Sequence, residues 1–209
     1  ASAVLTHHGR IIAAVEEERL NRIKSSPHQL PELAIRQVLE IAQISIQDIS
    51  FVATHGSTWG DQFEIVLKNF FQTNFGYAPA IKRFHHHDCH AAGSYFSSGF
   101  EEALVFTFDN SGDGIGTQIS IAKGSHLEVL ERIERPNSLG MFYGMVTQYC
   151  GFVRDSDEYK LMGLAPYGNP SIDLTDILKV NEDGFELNLE YIQKIEPVQP
   201  QPSIQQAIY

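Results

Sequence analysis

Between Phe84 and Thr117 the sequence passes from a histidine-laden stretch to a short apolar run and then to a glycine-rich turn. No other segment constrains the fold as much. Four of the nine histidines fall here: His85, His86, His87 and His90. The spacing predicts a helix over roughly Asp88 to Ser97, and His86 and His90, at i and i+4, share one face of any helix that includes them. The run Leu104 to Phe108 predicts a strand that ends in Asp109. A strand-end carboxylate near two stacked imidazoles suggests a divalent-metal site of His86, His90 and Asp109. An H-x-x-x-H spacing alone also describes two ordinary histidines; the clustering and Asp109 favour the metal. Imidazole with carboxylate suits zinc or iron(II) rather than magnesium; iron(II) is the expected ion, with zinc second. Three ligands leave positions open for substrate. His85 and His87 are expected to face elsewhere and to pack or hydrogen-bond.

The run Asp109-Asn110-Ser111-Gly112-Asp113-Gly114 reads as a turn between strands. Its glycines let backbone N–H groups approach an anion closely, so Asn110, Gly112, Asp113 and Gly114 are candidate substrate or nucleotide contacts. A ligand-free hairpin has the same spacing. A calcium loop does not fit, because Ser120 stands where the bidentate glutamate is required.

Elsewhere the hydrophobic pattern alternates between strand and helix. Ser2–Thr6 and Ile11–Glu17 flank His7-His8-Gly9-Arg10 and predict a hairpin. Ile35, Val38, Leu39 and Ala42 mark an amphipathic helix behind Pro31. A short strand is expected over Phe51 to Thr54. Asp61 is read as the cap of a helix whose stripe of Phe63, Val66, Leu67, Phe70 and Phe71 is core. Further strands are expected over Thr117–Ala122, Leu127–Ile133 and Phe185–Leu189. Ser138 is read as the cap of a helix running to Tyr149, and residues 155–170 as a loop. The charged run Glu16-Glu17-Glu18-Arg19 reads as a solvated face. The sum is an α/β chain of layered strands and helices.

A net charge of −11 argues against nucleic acid as a partner. A phosphate-bearing substrate would then need local cations. Arg22, Lys24, Arg154 and Lys160 are the candidates, with Lys24 and Lys160 expected to line one cleft with the Gly112–Gly114 turn, beside the histidines. Two cysteines make no disulfide framework, which suits a reducing cytoplasm. No apolar run is long enough for a membrane helix and no signal peptide is visible. The chain opens in a strand-like run without an initiator methionine and closes in a proline-rich stretch, as a piece of a longer protein would.

Four ordered blocks carry a family resemblance. Residues 12–24, AAVEEERLNRIK within them, resemble the AAxEEERFxRxK block of the NodU/CmcH-type O-carbamoyltransferases. His86-His87-Asp88-Cys89-His90-Ala91-Ala92 is similar to their HHxxHAA motif. Asp109 to Gly114 is similar to their DGxGD/E turn, departing at Asn110 and Ser111. Glu158 to Gly168 matches EyKxMGLAPYG, and places Lys160 and Gly163 among the candidate substrate or nucleotide contacts. The resemblance implies an actin/Hsp70/sugar-kinase-like (ASKHA, Kae1-like) fold, with a mixed sheet flanked by helices. Residues 1–196 would form the first lobe and 197–209 a connector. It implies carbamoyl transfer from carbamoyl adenylate to a hydroxyl of a small-molecule acceptor, with the adenylate made from ATP and carbamoyl phosphate in a C-terminal YrdC-like domain. His86, His90 and Asp109 would be metal ligands. A further aspartate ligand lies beyond this chain, and the family's opening strand and HD pair, which carries an active-site histidine, precede it. The sequence names neither the acceptor nor the general base. A missing first strand would leave a sheet edge free to associate with a second copy. The competing readings are a threonylcarbamoyl-transferase or sugar-kinase-like relative on the same fold, a non-catalytic metal- or nucleotide-binding module, and a metallohydrolase. The EEER and MGLAPYG blocks favour carbamoyl transfer, and the histidines lack the adjacent glutamate base of H-E-x-x-H.

Overall fold

The first hairpin is set by two residues with positive φ, His8 at 47° and Gly9 at 74°. They close β1 (Ser2–His7) onto β2 (Arg10–Glu16), antiparallel, with Val4 opposite Ala14 and His7 opposite Arg10. A two-residue loop with both φ angles positive matches the right-handed twist of the strands it joins. The structure is a computed structural model and describes residues 1–171, 173–182 and 184–191. The connector expected at 197–209 lies outside the described residues.

Helix α1 (Glu17–Asn21) follows β2 directly, and α2 (Glu32–Ala42) packs on both strands of the hairpin. The N-cap of α2 is Pro31, which has no side chain that can accept a hydrogen bond. Glu17 supplies the acceptor instead. Its carboxylate takes the N–H of Leu33 at 3.2 Å and of Ala34 at 2.8 Å, and the residue is only 3% exposed. The charged run is therefore not a uniformly solvated face. Glu16 and Arg19 are exposed, whereas Glu17 is buried because the orphan N–H groups of α2 need it.

Strand β3 (Phe51–Thr54) pairs with β4 (Ala80–Arg83), and α3 (Gly60–Phe75) lies between them in sequence. Strand β4 has no counterpart in the sequence reading, being four residues long with two cations. Asp61 lies inside α3, one residue past its start, and is not its cap. Leu39, Ile46 and Phe71 form a buried core with Ile35, Val52, Phe70 and Phe75 around it, so the phenylalanine stripe is packing.

The chain divides into two units. Among the described residues, the first holds Ala1–Thr54 and Gly60–Lys82; the second holds His55–Trp59 and the residues from Arg83 to Tyr191. In the second, α4 (His86–Ser98) packs on β5 (Glu102–Gly112) and β6 (Ile115–Lys123), and β7 (His126–Glu134) completes an antiparallel sheet of order β5-β6-β7. Ala91, Tyr95, Val105 and Ala122 are its core, and Tyr95 Oη donates to the Glu101 carbonyl at 2.7 Å. Helix α4 begins at His86, two residues before the expected start, and each strand is longer than its apolar run.

Ser138 caps α5 (Leu139–Tyr149), accepting from the Met141 N–H at 3.1 Å. Met141 and Met145 pack on Leu187 of a hairpin formed by β8 (Leu178–Asn181) and β9 (Gly184–Leu187). The stretch expected as a loop contains α6 (Glu158–Leu164) and a 3-10 turn over Ala165–Tyr167. Glu, Lys, Leu and Met outweigh one glycine there, and Pro166 is tolerated in the first turn of the 3-10 segment. The α/β class holds, with small separate sheets among the described residues. No described helix is long and apolar enough to cross a membrane.

Removing the Glu17 carboxylate leaves two N–H groups of α2 without an acceptor. Glu17→Ala is expected to cost about 1–3 kcal/mol in urea unfolding, and Glu16→Ala, at an exposed position, less than about 0.5 kcal/mol.

Candidate metal centre

Three ligand atoms from two elements meet at one place. His86 and His90 project from the same face of α4, their ring centroids 4.5 Å apart. Asp109 comes from β5, where the ladder is irregular: Phe108 pairs with Thr117 but Gly112 with Ile115, so β5 carries unpaired residues between them. Such a bulge bends a strand and re-aims its side chains. His86 Nε2 lies 2.6 Å from Asp109 Oδ2 and 2.9 Å from His90 Nε2; His90 Nε2 lies 3.5 Å from Asp109 Oδ2. Atoms that each sit about 2.1 Å from a common ion are roughly 3.0–3.5 Å apart. The cluster comes near that spacing, and two imidazoles with one carboxylate form a donor set that suits iron(II) or zinc. The residues fit a divalent metal.

The surroundings fix these side chains. Ser138 Oγ lies 2.8 Å from the Asp109 carbonyl and 2.9 Å from that of Asn110. Gly140 lies so close that a Cβ there would be 2.5 Å from the Asp109 backbone. A Cβ on Gly112 would overlap the His86 imidazole. Burial works to raise the Asp109 pKa, but the His86 hydrogen bond, the Asn110 N–H and the nearby imidazole charge outweigh it and hold the carboxyl below its ordinary value.

The other histidines of the cluster have different tasks. His87 is fully buried, with Nδ1 2.7 Å from Thr107 Oγ1 and Nε2 2.9 Å from the Ile115 carbonyl. A carbonyl only accepts, so Nε2 carries the proton and Thr107 donates to Nδ1. Burial lowers the His87 pKa despite that carbonyl bond. His85 is the N-cap of α4, its Nδ1 accepting from the His87 N–H at 3.3 Å. Asp88 accepts from Arg132 at 2.8 Å and Gln118 at 3.0 Å, tying α4 to β7 and β6.

Most of the remaining sequence candidates have partners of their own. Asn110 Nδ2 donates to Asp155 at 2.8 Å, while its buried Oδ1 has no hydrogen-bond partner among the described residues. The Asp113 carboxylate accepts from the His86 N–H at 2.8 Å and Thr58 Oγ1 at 2.6 Å. Gly114, at φ 85°, completes the turn after Asp113. Lys160 pairs with Asp157 at 2.8 Å and is half-exposed; Gly163 lies on α6 with open space at its Cα. Lys24 belongs to the first unit, where it pairs with Glu18 at 3.2 Å. Arg154 packs along Gly144, and Arg22 is exposed. Sequence reasoning missed His55, Ser57 and Thr58. The His55 ring stands edge-on to His86 at 5.5 Å, and the only signal was its place after a predicted strand.

Residues 61–201 match the family described as carbamoyltransferase N-terminus, and the chain belongs to that family. It is 35% identical over 192 residues to the nodulation protein NolNO of Sinorhizobium fredii, covering 81% of this chain and 28% of that protein. Over 87 residues it is 42% identical to the nodulation protein NolO of Bradyrhizobium diazoefficiens, covering 41% of this chain and 15% of the relative. An uncharacterized protein of Methanocaldococcus jannaschii is 32% identical over 183 residues, 87% of this chain and 34% of its own length. The chain thus spans about a third or less of these relatives.

Two outcomes follow from the geometry. Gly112→Ala should push the His86 ring aside and weaken Co2+ binding about 10–100-fold, the range for disturbed metal-site supports, as read by visible absorption. The second concerns pH. His87 and His85 both have pKa values lowered, first by burial. The unfolded chain therefore takes up more protons below about pH 6.5, so their stabilising contribution is complete above that pH and is lost as pH falls toward the folded values. Urea unfolding in chelator should show lower stability at roughly pH 5.5 than at roughly pH 7.5. The difference should shrink in His87→Gln.

Proposed function

We propose that this chain is part of a metal-dependent O-carbamoyltransferase. The observation that carries the reading is the convergence of His86 Nε2, His90 Nε2 and Asp109 Oδ2 in a chain of the carbamoyltransferase family. The reaction is transfer of a carbamoyl group from carbamoyl adenylate to a hydroxyl of a small molecule. The adenylate comes from ATP and carbamoyl phosphate in a YrdC-like domain of the same protein, on an actin/Hsp70/sugar-kinase-like (ASKHA, Kae1-like) frame. We infer iron(II) as the metal, with zinc second, and a reducing cytoplasm as the setting; both cysteines, Cys89 and Cys150, are free thiols.

A divalent ion bound here would neutralise charge developing on carbamoyl or phosphate oxygens. His86 and His90 would offer it neutral imidazole nitrogens, and Asp109, kept ionised by its partners, would offset its charge. The backbone around Gly112 and Gly114 and the Lys160 ammonium are the groups we assign to phosphate or nucleotide contact.

The test has two arms. Anaerobic titration with Fe2+ should load the chain, and His90→Ala should abolish saturable binding while leaving the circular dichroism unchanged. The protein of full family length should form pyrophosphate and a carbamate ester when given ATP, carbamoyl phosphate and a hydroxyl acceptor. The present chain alone should form neither. Metal and nucleotide binding without transfer across a panel of hydroxyl compounds would favour a binding module; equal Fe2+ binding by His90→Ala would sink the metal site.

A further inference from the structure

His86 is the first residue of α4. The first N–H groups of a helix have no partner within it, and helix ends fray. A frayed first turn would swing the His86 ring away from Asp109, whereas His90 sits one turn further in. The structure closes this end with a carboxylate from the turn between β5 and β6. Asp113 Oδ2 accepts the His86 N–H at 2.8 Å.

The carboxylate is itself held. Thr58 Oγ1 donates to Asp113 Oδ1 at 2.6 Å, and Ser57 Oγ to Oδ2 at 3.4 Å. The Ser57 N–H reaches the Phe84 carbonyl at 3.3 Å, just before α4. His55, from the same short segment, lies edge-on to the His86 ring. The segment His55–Trp59, the Asp113–Gly114 turn and the first turn of α4 are thus one hydrogen-bonded knot around a single imidazole.

We propose that Thr58 and Asp113 are positioning residues of the metal centre. The Thr58 hydroxyl orients the Asp113 carboxylate, which fixes the first turn of α4 and so aims His86 Nε2 at the point shared with His90 and Asp109. Asp113 acts through the backbone of a ligand and touches no substrate in this role. The inference rests on the metal reading above. It extends that reading to two residues more than 25 positions from the ligand they serve, on either side of it in sequence.

The experiment uses the chain with Co2+ alone as the probe, read by visible d–d absorption, and the His86 backbone amide read by proton exchange in 15N-labelled protein. Thr58→Val should weaken Co2+ binding about tenfold and Asp113→Asn about 10–100-fold, with an altered absorption band. Thr58→Ser, which keeps the hydroxyl, should show wild-type Co2+ affinity and absorption. Ser45→Ala breaks a capping box in the other unit and serves as a control for lost stability alone. Wild-type affinity and spectrum in Thr58→Val and Asp113→Asn would overturn the proposal, as would equal weakening by Ser45→Ala. If the wild type takes up no Co2+, the metal reading falls by itself. Faster exchange of the His86 amide in Thr58→Val would then still support the clamp, and unchanged exchange would overturn it.

Discussion

The second unit depends on the seat of α4 against β5 and β6. Two imidazoles one turn apart must face a carboxylate that belongs to a strand, and each residue of helical rotation turns a side chain by about 100°. Three contacts fix that rotation. His87 is bonded on both ring nitrogens, to Thr107 and to the Ile115 carbonyl. Asp88 is held by Arg132 and Gln118. The N-terminus is closed by Asp113. Each contact joins a different residue of the first turn to a different partner, so none can slip without breaking the others. The four clustered histidines therefore divide their labour: His86 and His90 offer ligand atoms, His87 buttresses the helix and His85 caps it.

Several residues of the charged and glycine-rich motifs have structural tasks in this fold. Glu17, in the middle of the charged run, satisfies the N-terminus of α2 from inside the first unit. Glu18 accepts from the Ser25 N–H and from Lys24. Gly112 provides clearance for the His86 ring. Carboxylates serve this purpose well because a charged acceptor makes stronger hydrogen bonds to N–H donors than a neutral one, and because helix N-termini carry partial positive charge. A strongly acidic chain can spend part of its negative charge in this way, and its net charge alone says little about the site.

The periodic parts of the fold were legible from the residues. The hairpin around Gly9, the amphipathic α2, the phenylalanine stripe of α3 and the three strands after the histidines all follow from side-chain spacing, which a helix or strand must respect locally. The elements that were misread have weak or conflicting local signals. Strand β4 is short and carries Lys82 and Arg83; α6 is short and contains Gly163; Asp61 could have capped a helix that in fact begins one residue earlier.

Of the candidate site, the sequence by itself determined that His86 and His90 would share a face and that an aspartate would follow the next apolar run, because both are matters of local geometry. Only the tertiary structure decided that Asp109 leaves the regular ladder to meet them, that His87 is buried with both nitrogens bonded, and that Asp113, itself held by Thr58, closes a helix. Those outcomes depend on which backbone groups are left unpaired once helices and strands have packed. No spacing within one segment records that, since the partner of an orphan N–H is chosen by proximity in space.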